Sequence, residues 1–405
     1  MDIYTSLDWG VLLDWVSLLL RWTHVVAAIA WIGSSFYFIA LDASLRPNPR
    51  LDPRVSGDTW QVHGGGFYQI QKYVVAPEFL PAHLTWFKWE AYSTWIFGFA
   101  LLVTTYYANP SVYLLDTSVS SIEPLDAVPL ALGSLVLGWI GYDQLCRSWI
   151  GKDTARLAAC GFALLVLITY GFCHVFSGRG AFLQVGALVG SIMVGNVFFL
   201  IIPNQKKTVA ALIAGKEPDP IWGYHAKQRS IHNNYLTLPV VFVMLSNHYS
   251  FTYQTKWNWL ILSCIFVASF LVRHYFNTMH TGAEPDWRLW PAAAVPIVLA
   301  AIVTLADSYS PPSATAEKPV SFTEVRIIVD QRCHICHSAH PKFPAFSEPP
   351  KGVMFDTPAQ ILQYSKQIFA QAVKTHTMPL NNITEITEAE RAALGSWIAS
   401  GSRAN

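Results

Sequence analysis

The feature that most restricts how this chain can fold is the repetition of long apolar stretches along its first 306 residues. A helix of about 20 apolar residues crosses the hydrocarbon core of a bilayer. Hydrophobic residues make up 52% of the 405 residues and charged residues only 13%, which is too apolar for an ordinary soluble protein. We therefore predict an all-α fold, a polytopic membrane helical bundle with about eight transmembrane helices, at 13–41, 87–107, 125–145, 157–176, 182–202, 236–249, 257–279 and 289–306.

The charges between the predicted spans indicate how the bundle is oriented. Basic residues concentrate in the loops on the cytoplasmic side of a membrane. Thirteen of them fall in one set of alternate loops, and only Arg179 and Lys256 fall in the other. The sequence thus predicts a multi-pass protein of the bacterial inner membrane with both termini on the periplasmic side. This orientation depends on the sixth span, which is short and interrupted by Pro239.

The net charge limits the expected partners. The chain has 27 basic and 26 acidic residues, so it has no excess of positive charge with which to attract a polyanion. Nucleic acid is therefore not an expected partner, whereas the lipid bilayer is.

The sequence Cys-His-Ile-Cys-His at 333–337 has the spacing that attaches a c-type haem. The thiols of Cys333 and Cys336 would each bond one haem vinyl group, and His337 would be an axial ligand of the iron. The alternatives are a surface disulfide or a zinc half-site, but no second Cys or His pair follows to complete a zinc set.

A small c-type cytochrome domain is predicted around this motif. Met378 is the expected second axial ligand, with Met354 and His376 as rivals. A stretch rich in Pro, Ser and Ala at 307–319 is typical of a linker, so we predict a membrane domain at 1–306 and a cytochrome domain at 320–405. Helix-capping patterns at 321–324 and 387–390 predict one helix that ends in the haem motif and a last helix at 388–400.

Ionisable residues inside the predicted spans are candidates for function, because they are costly to bury in lipid. His24 in the first span and His174 near the outer end of the fourth could approach each other in the outer half of the membrane. Two facing helical imidazoles hold b-type haems, so a second cofactor, haem b, is a hypothesis for this pair. The alternative is that these histidines form structural hydrogen bonds between helices.

Polar side chains crowd the predicted cytoplasmic loop that leads into the sixth span. Amides, imidazoles and a guanidinium, with aromatic rings between them, suit a small, planar, polar heterocycle. The alternative is that Trp and Tyr anchor this segment at the membrane interface. The candidate catalytic residues are His225, Arg229, His232, Asn233 and Asn234.

Four membrane segments and the haem motif occur together in one order: RWTH at 21–24, AWIGSSF at 30–36, SIHNNY at 230–235, SNHY at 246–249 and the motif at 333–337. In this combination the chain resembles the bacterial membrane-bound, cytochrome c-linked urate oxidase family. The resemblance covers essentially the whole chain. The haem motif alone is generic, and the membrane segments are what point to this family.

The resemblance implies oxidation of urate to 5-hydroxyisourate without production of peroxide. Electrons would pass to the haem c and on to a terminal cytochrome oxidase or a soluble cytochrome. The mechanistic hypothesis is that His232 or His225 removes a proton from urate while Arg229 or an Asn orients the ring.

Three other functions fit the same features. A quinol-to-cytochrome c oxidoreductase would share the membrane histidines and the haem. A non-enzymatic, membrane-anchored electron carrier would need only one span, so eight spans with many buried polar groups count against it. A transporter would move substrate without any redox change.

Overall fold

The computed structural model describes residues 9–77, 80–308, 320–344, 346 and 348–404. Most of these residues are helical, and one β-hairpin lies near the start of the chain. The elements in chain order are α1 Trp9–Ser44, β1 Val55–His63, β2 Gly66–Tyr73, α2 Trp89–Leu102, α3 Pro110–Tyr113, α4 Pro124–Arg147, α5 Thr154–Cys173, α6 Gly178–Gly195, α7 Ile202–Ile213, α8 Pro220–Ser246, α9 Asn258–Met279, α10 Leu289–Ser308, α11 Phe322–Arg332, α12 Pro358–Gln363, α13 Ser365–Ile368 and α14 Glu388–Ala399. Wide π-helical turns at Val103–Tyr107 and Asn196–Ile201 follow α2 and α6.

Helix α6 lies at the centre of the bundle and packs against α2, α4, α5 and α8. Its small and apolar residues, including Ala181, Phe182 and Val185, are almost completely buried. The side chain of Ser177 accepts a hydrogen bond from the Gly180 N–H and caps its first turn. The outer helices instead keep large apolar side chains exposed, as at Leu137 and Leu167. Exposed apolar surface of this extent is typical of contact with lipid.

Six helices of the described part of the chain are long and apolar enough to cross a membrane: Val11–Ser44, Pro124–Arg147, Thr154–Cys173, Gly178–Ile213, Asn258–Met279 and Leu289–Asp307. The protein is therefore a membrane protein by the length and composition of its helices. The second and sixth predicted spans are not among the six. The second is helical but carries Glu90 and several tyrosines, and the sixth forms the last part of α8.

Helix α8 corrects the prediction for the polar segment at 222–235. We expected a cytoplasmic loop leading into a span, whereas the structure has one continuous helix of 27 residues that passes through Pro239. Asp219 and Pro220 begin it, since the Asp219 side chain accepts a hydrogen bond from the Ile221 N–H and Pro fits the first helical turn. Three of its polar side chains, Arg229, Asn233 and Asn234, are buried between helices, so low hydropathy there does not mean exposure to water.

The hairpin shows that the prediction of an all-α fold was wrong in one place. Strands β1 and β2 pair antiparallel, from Val55 opposite Tyr73 to His63 opposite Gly66. The turn uses Gly64 and Gly65, whose φ angles are +57° and +78°. Glycine adopts such angles without a steric penalty, and two residues of this kind match the twist of a tight hairpin.

The C-terminal segment, residues 320–404 without 345 and 347, has its own apolar core. This core includes Val325, Ile361, Leu394 and Trp397. The predicted helices are confirmed at Phe322–Arg332, which ends at the haem motif, and at Glu388–Ala399. Residues 309–319, which include most of the predicted linker, lie outside the described residues.

Hydrogen bonds at both helix starts explain their positions. Ser321 accepts a bond from the Glu324 N–H, and Thr387 forms a complete capping box with Glu390. Arg332 also pairs with Glu390 at 3.0 Å. Partial burial raises the pKa of Glu390, but the Thr387 N–H and the Arg332 guanidinium lower it more, and the resulting pKa lies below the ordinary value.

The C-terminal segment contacts the helical bundle near α3. The side-chain amide of Asn381 donates a hydrogen bond of 2.7 Å to the Val112 carbonyl oxygen. Because Leu114 and Leu115 share a buried cluster with Ala127 and Ala131, this contact lies at the end of the bundle where α4 begins.

Candidate functional site

A cavity of about 310 Å³ opens at the opposite end of α4. It lies between the last turn of α4, the π-helical turn after α6, the start of α7 and the first half of α8. Its volume is at the lower end of the range for small-molecule sites. The lining residues are Cys146, Arg147, Phe199, Leu200, Pro203, Asn204, Lys207, Ile221, Trp222, His225, Gln228 and Arg229.

Arg229 is the most deeply buried charged residue of this cavity, with 2% of its surface exposed. Its Nη2 pairs with Asp143 Oδ1 at 2.8 Å, and its guanidinium lies over the Tyr142 ring at 4.9 Å. The second oxygen of Asp143 pairs with Arg147 Nε at 2.6 Å. One carboxylate thus faces two guanidinium groups, so the cavity keeps a net positive charge.

Two nitrogen atoms of Arg229 have no hydrogen-bond partner within the described part of the chain. These are Nε and Nη1, and both are buried. Leaving a buried charged donor unpaired costs more than leaving a neutral one unpaired. A buried guanidinium with spare donors at the wall of a cavity is therefore suited to bind an anionic ligand.

Two of the five predicted catalytic residues, His225 and Arg229, line the cavity. They are four positions apart on α8, so they lie on the same face of the helix. His225 is partly exposed, and its side chain is available to a ligand in the cavity.

His232 lies farther along the same face of α8, behind the cavity. Its Nδ1 and the Tyr142 hydroxyl are 2.7 Å apart. Asn196 donates to that hydroxyl at 3.2 Å and to Asn233 Oδ1 at 2.9 Å. Asn233 in turn donates to the Met193 carbonyl oxygen at 2.9 Å. His232 and Asn233 therefore belong to a hydrogen-bonded network that connects α4, α6 and α8.

Asn234 faces a different neighbour. Its Oδ1 accepts hydrogen bonds from Arg273 Nε at 2.8 Å and from Asn277 Nδ2 at 3.0 Å, both on α9. The guanidinium of Arg273 lies 3.9 Å from the centre of the Phe36 ring. Asn234 thus connects α8 to α9, on the side of the helix away from the cavity.

Sequence reasoning missed Tyr142, Asp143 and Asn196. A signal was available for Asp143, because it is an acidic residue within a predicted span and has Arg147 four positions later. Tyr142 and Asn196 gave no such signal. Asn196 begins the π-helical turn after α6, and turns of this kind occur often at functional sites.

The haem motif follows directly on α11. The backbone N–H groups of Cys336 and His337 donate to the Cys333 carbonyl oxygen at 3.2 and 3.0 Å, so the motif folds as a tight turn. His337 Nδ1 lies 3.0 Å from the Val353 carbonyl oxygen. A carbonyl only accepts, so Nδ1 carries the proton and Nε2 keeps the lone pair that a metal requires.

The three candidates for a second axial ligand lie in different surroundings. Met378 packs against the same apolar core as Cys333. Met354 is half-buried beside Phe355, and His376 is exposed with its Nδ1 3.7 Å from Glu388 Oε1. Of these, only Met378 shares the apolar surroundings of the Cys333 thiol.

The two predicted membrane ligands each bond a backbone carbonyl oxygen. His24 Nδ1 lies 2.8 Å from Thr94 O on α2, and His174 Nδ1 lies 2.7 Å from Tyr170 O on α5. In both rings the hydrogen bond occupies Nδ1 and not Nε2. The pairing of His24 with His174 stays a prediction, since no ring contact between them occurs in the described structure.

The fold and the cavity together define a membrane protein with a positively charged cavity between its helices. The family model described as "Urate oxidase N-terminal" matches residues 10–306. The match covers well over half of the chain, so the protein belongs to this family. It confirms the predicted relation to urate oxidases and supports an oxidoreductase activity related to urate. Searches of curated proteins and of solved structures found no match.

Proposed function

We propose that the protein oxidises urate to 5-hydroxyisourate in the cavity beside α8 and delivers the electrons to a haem c in its C-terminal segment, without producing peroxide. The observation that carries this proposal is the buried Arg229 guanidinium, with two unpaired nitrogen atoms at the cavity wall. Family membership supplies urate as the substrate.

The cavity offers urate a binding mode that suits its charge and shape. Urate is a planar anion at neutral pH. Arg229 and Lys207 supply positive charge, while Phe199 and Trp222 offer aromatic faces on which the ring can stack. Asn204 can both donate and accept hydrogen bonds at the edge of the ring.

Oxidation of the urate monoanion to the monoanion of 5-hydroxyisourate consumes one water and releases two protons and two electrons. His225 is the residue best placed to take a proton from urate or from the attacking water, because it lines the cavity. A second proton can leave along the hydrogen bond from Tyr142 to His232. We therefore assign His225 as the base and His232 as a proton acceptor behind it.

The residues of the C-terminal motif fit a covalent haem c. Cys333 and Cys336 would hold it, His337, whose Nδ1 bonds the Val353 carbonyl oxygen, would be a ligand of its iron, and Met378 is the candidate second ligand. Such a group supplies a one-electron acceptor. A haem b in the bundle, with His24 and His174 as its candidate ligands, is proposed as a relay.

The orientation is part of the proposal. In the proposed orientation, α2 and α8 are spans as well, which makes eight, and both termini lie on the periplasmic side of a bacterial inner membrane. The cavity then opens to the cytoplasm, where urate is available. Electrons leave through a terminal cytochrome oxidase or a soluble cytochrome.

The test is the visible spectrum of anaerobic membranes that contain the protein, before and after urate is added. We expect urate to reduce the haem c bands and oxygen to reoxidise them without stoichiometric peroxide. If a quinol reduces them and urate does not, the protein is a quinol oxidoreductase and the proposal is wrong. If dithionite reduces the haem but neither urate nor a quinol does, the protein is an electron carrier and the proposal is wrong.

A further inference from the structure

The β-hairpin runs back along α1 and does not extend away from the bundle. Close to its base, the backbones of Asp58 and Arg46 exchange hydrogen bonds of 2.9 and 3.0 Å. One residue farther along β1, Thr59 Oγ1 lies 3.4 Å from Ser44 Oγ. Toward the tip, the Tyr37 hydroxyl donates to the side chain of Gln61 at 2.9 Å.

These contacts fix the direction in which the hairpin points. Tyr37 lies about 10 Å from Ser44 along the helix axis, at 1.5 Å per residue. Residues of β1 that are nearer to the turn contact residues of α1 that are farther from its C-terminal end. The tip at Gly64 and Gly65 therefore points back toward the membrane that α1 crosses.

The hairpin has an apolar face near its tip, formed by Trp60, Val62 and Phe67. These side chains are 62%, 66% and 76% exposed. Val62 and Phe67 are directly opposite each other in the sheet. Trp60, two positions before Val62, lies on the same face because side chains alternate along a strand. Thr59 and Gln61 occupy the other face, toward α1. We call the three apolar residues the tip face.

The base of the hairpin is polar and anchored. Lys72 on β2 pairs with Asp42 near the end of α1, and Lys227 on α8 pairs with the same carboxylate at 2.8 Å. Asp58 is buried and accepts a hydrogen bond from Gln69 at 2.8 Å. The polar base thus lies beyond the end of the span, and the apolar end lies alongside it.

We propose that the tip face contacts lipid, at the boundary between headgroups and acyl chains on the side of the membrane where α1 ends. The neighbouring part of α1 is also apolar and exposed, since Tyr37 and Phe38 are 45% and 40% exposed. Trp and other aromatic side chains are favoured at this depth. The hairpin stays at the boundary because its edge N–H and C=O groups need partners that the hydrocarbon core lacks.

The experiment is site-directed spin labelling of the full-length protein in proteoliposomes. Val62→Cys and Phe67→Cys place the nitroxide on the tip face, and Ser56→Cys places it on an exposed position at the base. Cys160, which is exposed, is replaced by Ala in all variants. The parent without an introduced cysteine corrects for labelling at the remaining cysteines.

We expect nitroxides at 62 and 67 to collide several-fold more often with oxygen than with a water-soluble nickel chelate, and the reverse at 56. Equal access of the nickel chelate at 62, 67 and 56 would show that the tip face is in water, and the inference would be wrong. Low access to both reagents at 62 and 67 would show a protein partner, such as a second copy of this chain, and would also overturn it. Urate oxidation does not enter this measurement.

Discussion

Replacing Arg229 with Lys tests the proposed substrate site most directly. The lysine keeps one positive charge and can reach Asp143. It lacks the several N–H donors of the guanidinium, which allow Arg229 to pair with Asp143 through Nη2 and to keep Nε and Nη1 for a ligand. At least one charge-assisted hydrogen bond to urate is lost, worth about 1.5–3 kcal/mol. Since each 1.4 kcal/mol is a factor of ten, the Kd for urate should rise roughly 10- to 150-fold.

The assay follows urate-dependent reduction of the haem c absorbance under anaerobic conditions, over a range of urate concentrations. The control is Arg156→Lys, because Arg156 is an exposed arginine at the same end of the bundle and is outside the cavity lining. Thermal unfolding in detergent shows whether each variant is folded. A folded Arg229→Lys protein with the urate affinity of the parent would refute the assignment of this cavity.

Three further changes test the network, the contact between the two parts and the C-terminal segment. Tyr142→Phe removes the hydroxyl bonded to His232, so we expect a loss of about 1–3 kcal/mol in the free energy of unfolding and slower turnover. The loss of stability is measured as a lower midpoint of thermal unfolding. An unchanged midpoint would contradict the buried network. Asn381→Gly removes the amide bonded to Val112, while glycine still accepts the φ of +49° at this position. We expect slower reduction of haem c by urate at an unchanged urate affinity. Unchanged reduction would show that the contact is dispensable. The pKa of Glu390 is below its ordinary value of 4.5, so its contribution to stability is complete above that pH and is lost as the pH falls through the folded-state pKa. Glu390→Gln should flatten this part of an acid-unfolding curve, and a curve like that of the parent would be the contrary result.

The helices of the bundle were largely predictable because long apolar runs have few other stable arrangements. Six of the predicted spans correspond to helices of membrane length. The hairpin was not predicted, since it lies between Pro-rich and charged stretches and its strands alternate only weakly, with Asp58 buried and Trp60 exposed. Its glycine turn at Gly64 and Gly65 was the one visible signal.

The candidate site was predictable in composition but not in structure. Polar residues at 225–234 indicated a site, yet low hydropathy suggested a loop because hydropathy does not record which polar groups pair inside a bundle. Arg229 is buried only because Asp143 on α4 compensates its charge. That partner is 86 positions away in the sequence, and no local pattern connects the two.

The proposed electron transfer from the cavity to the C-terminal segment requires a relay between the two ends of the molecule. The cavity includes Cys146 and Arg147 at the last turn of α4, while the contact with the C-terminal segment lies near the first turn of that helix. The 24 residues of α4 span about 36 Å at 1.5 Å per residue. A gap of that length is too wide for a single efficient electron transfer. The candidate ligand His24 lies on α1, and its ring packs so closely against Gly98 on α2 that a Cβ there would be 2.6 Å from the ring. A membrane preparation should therefore contain non-covalent haem, extractable by acid acetone, in addition to covalent haem. If only covalent haem is found, electrons must cross by another route, and the aromatic residues between the cavity and α3 become the candidates.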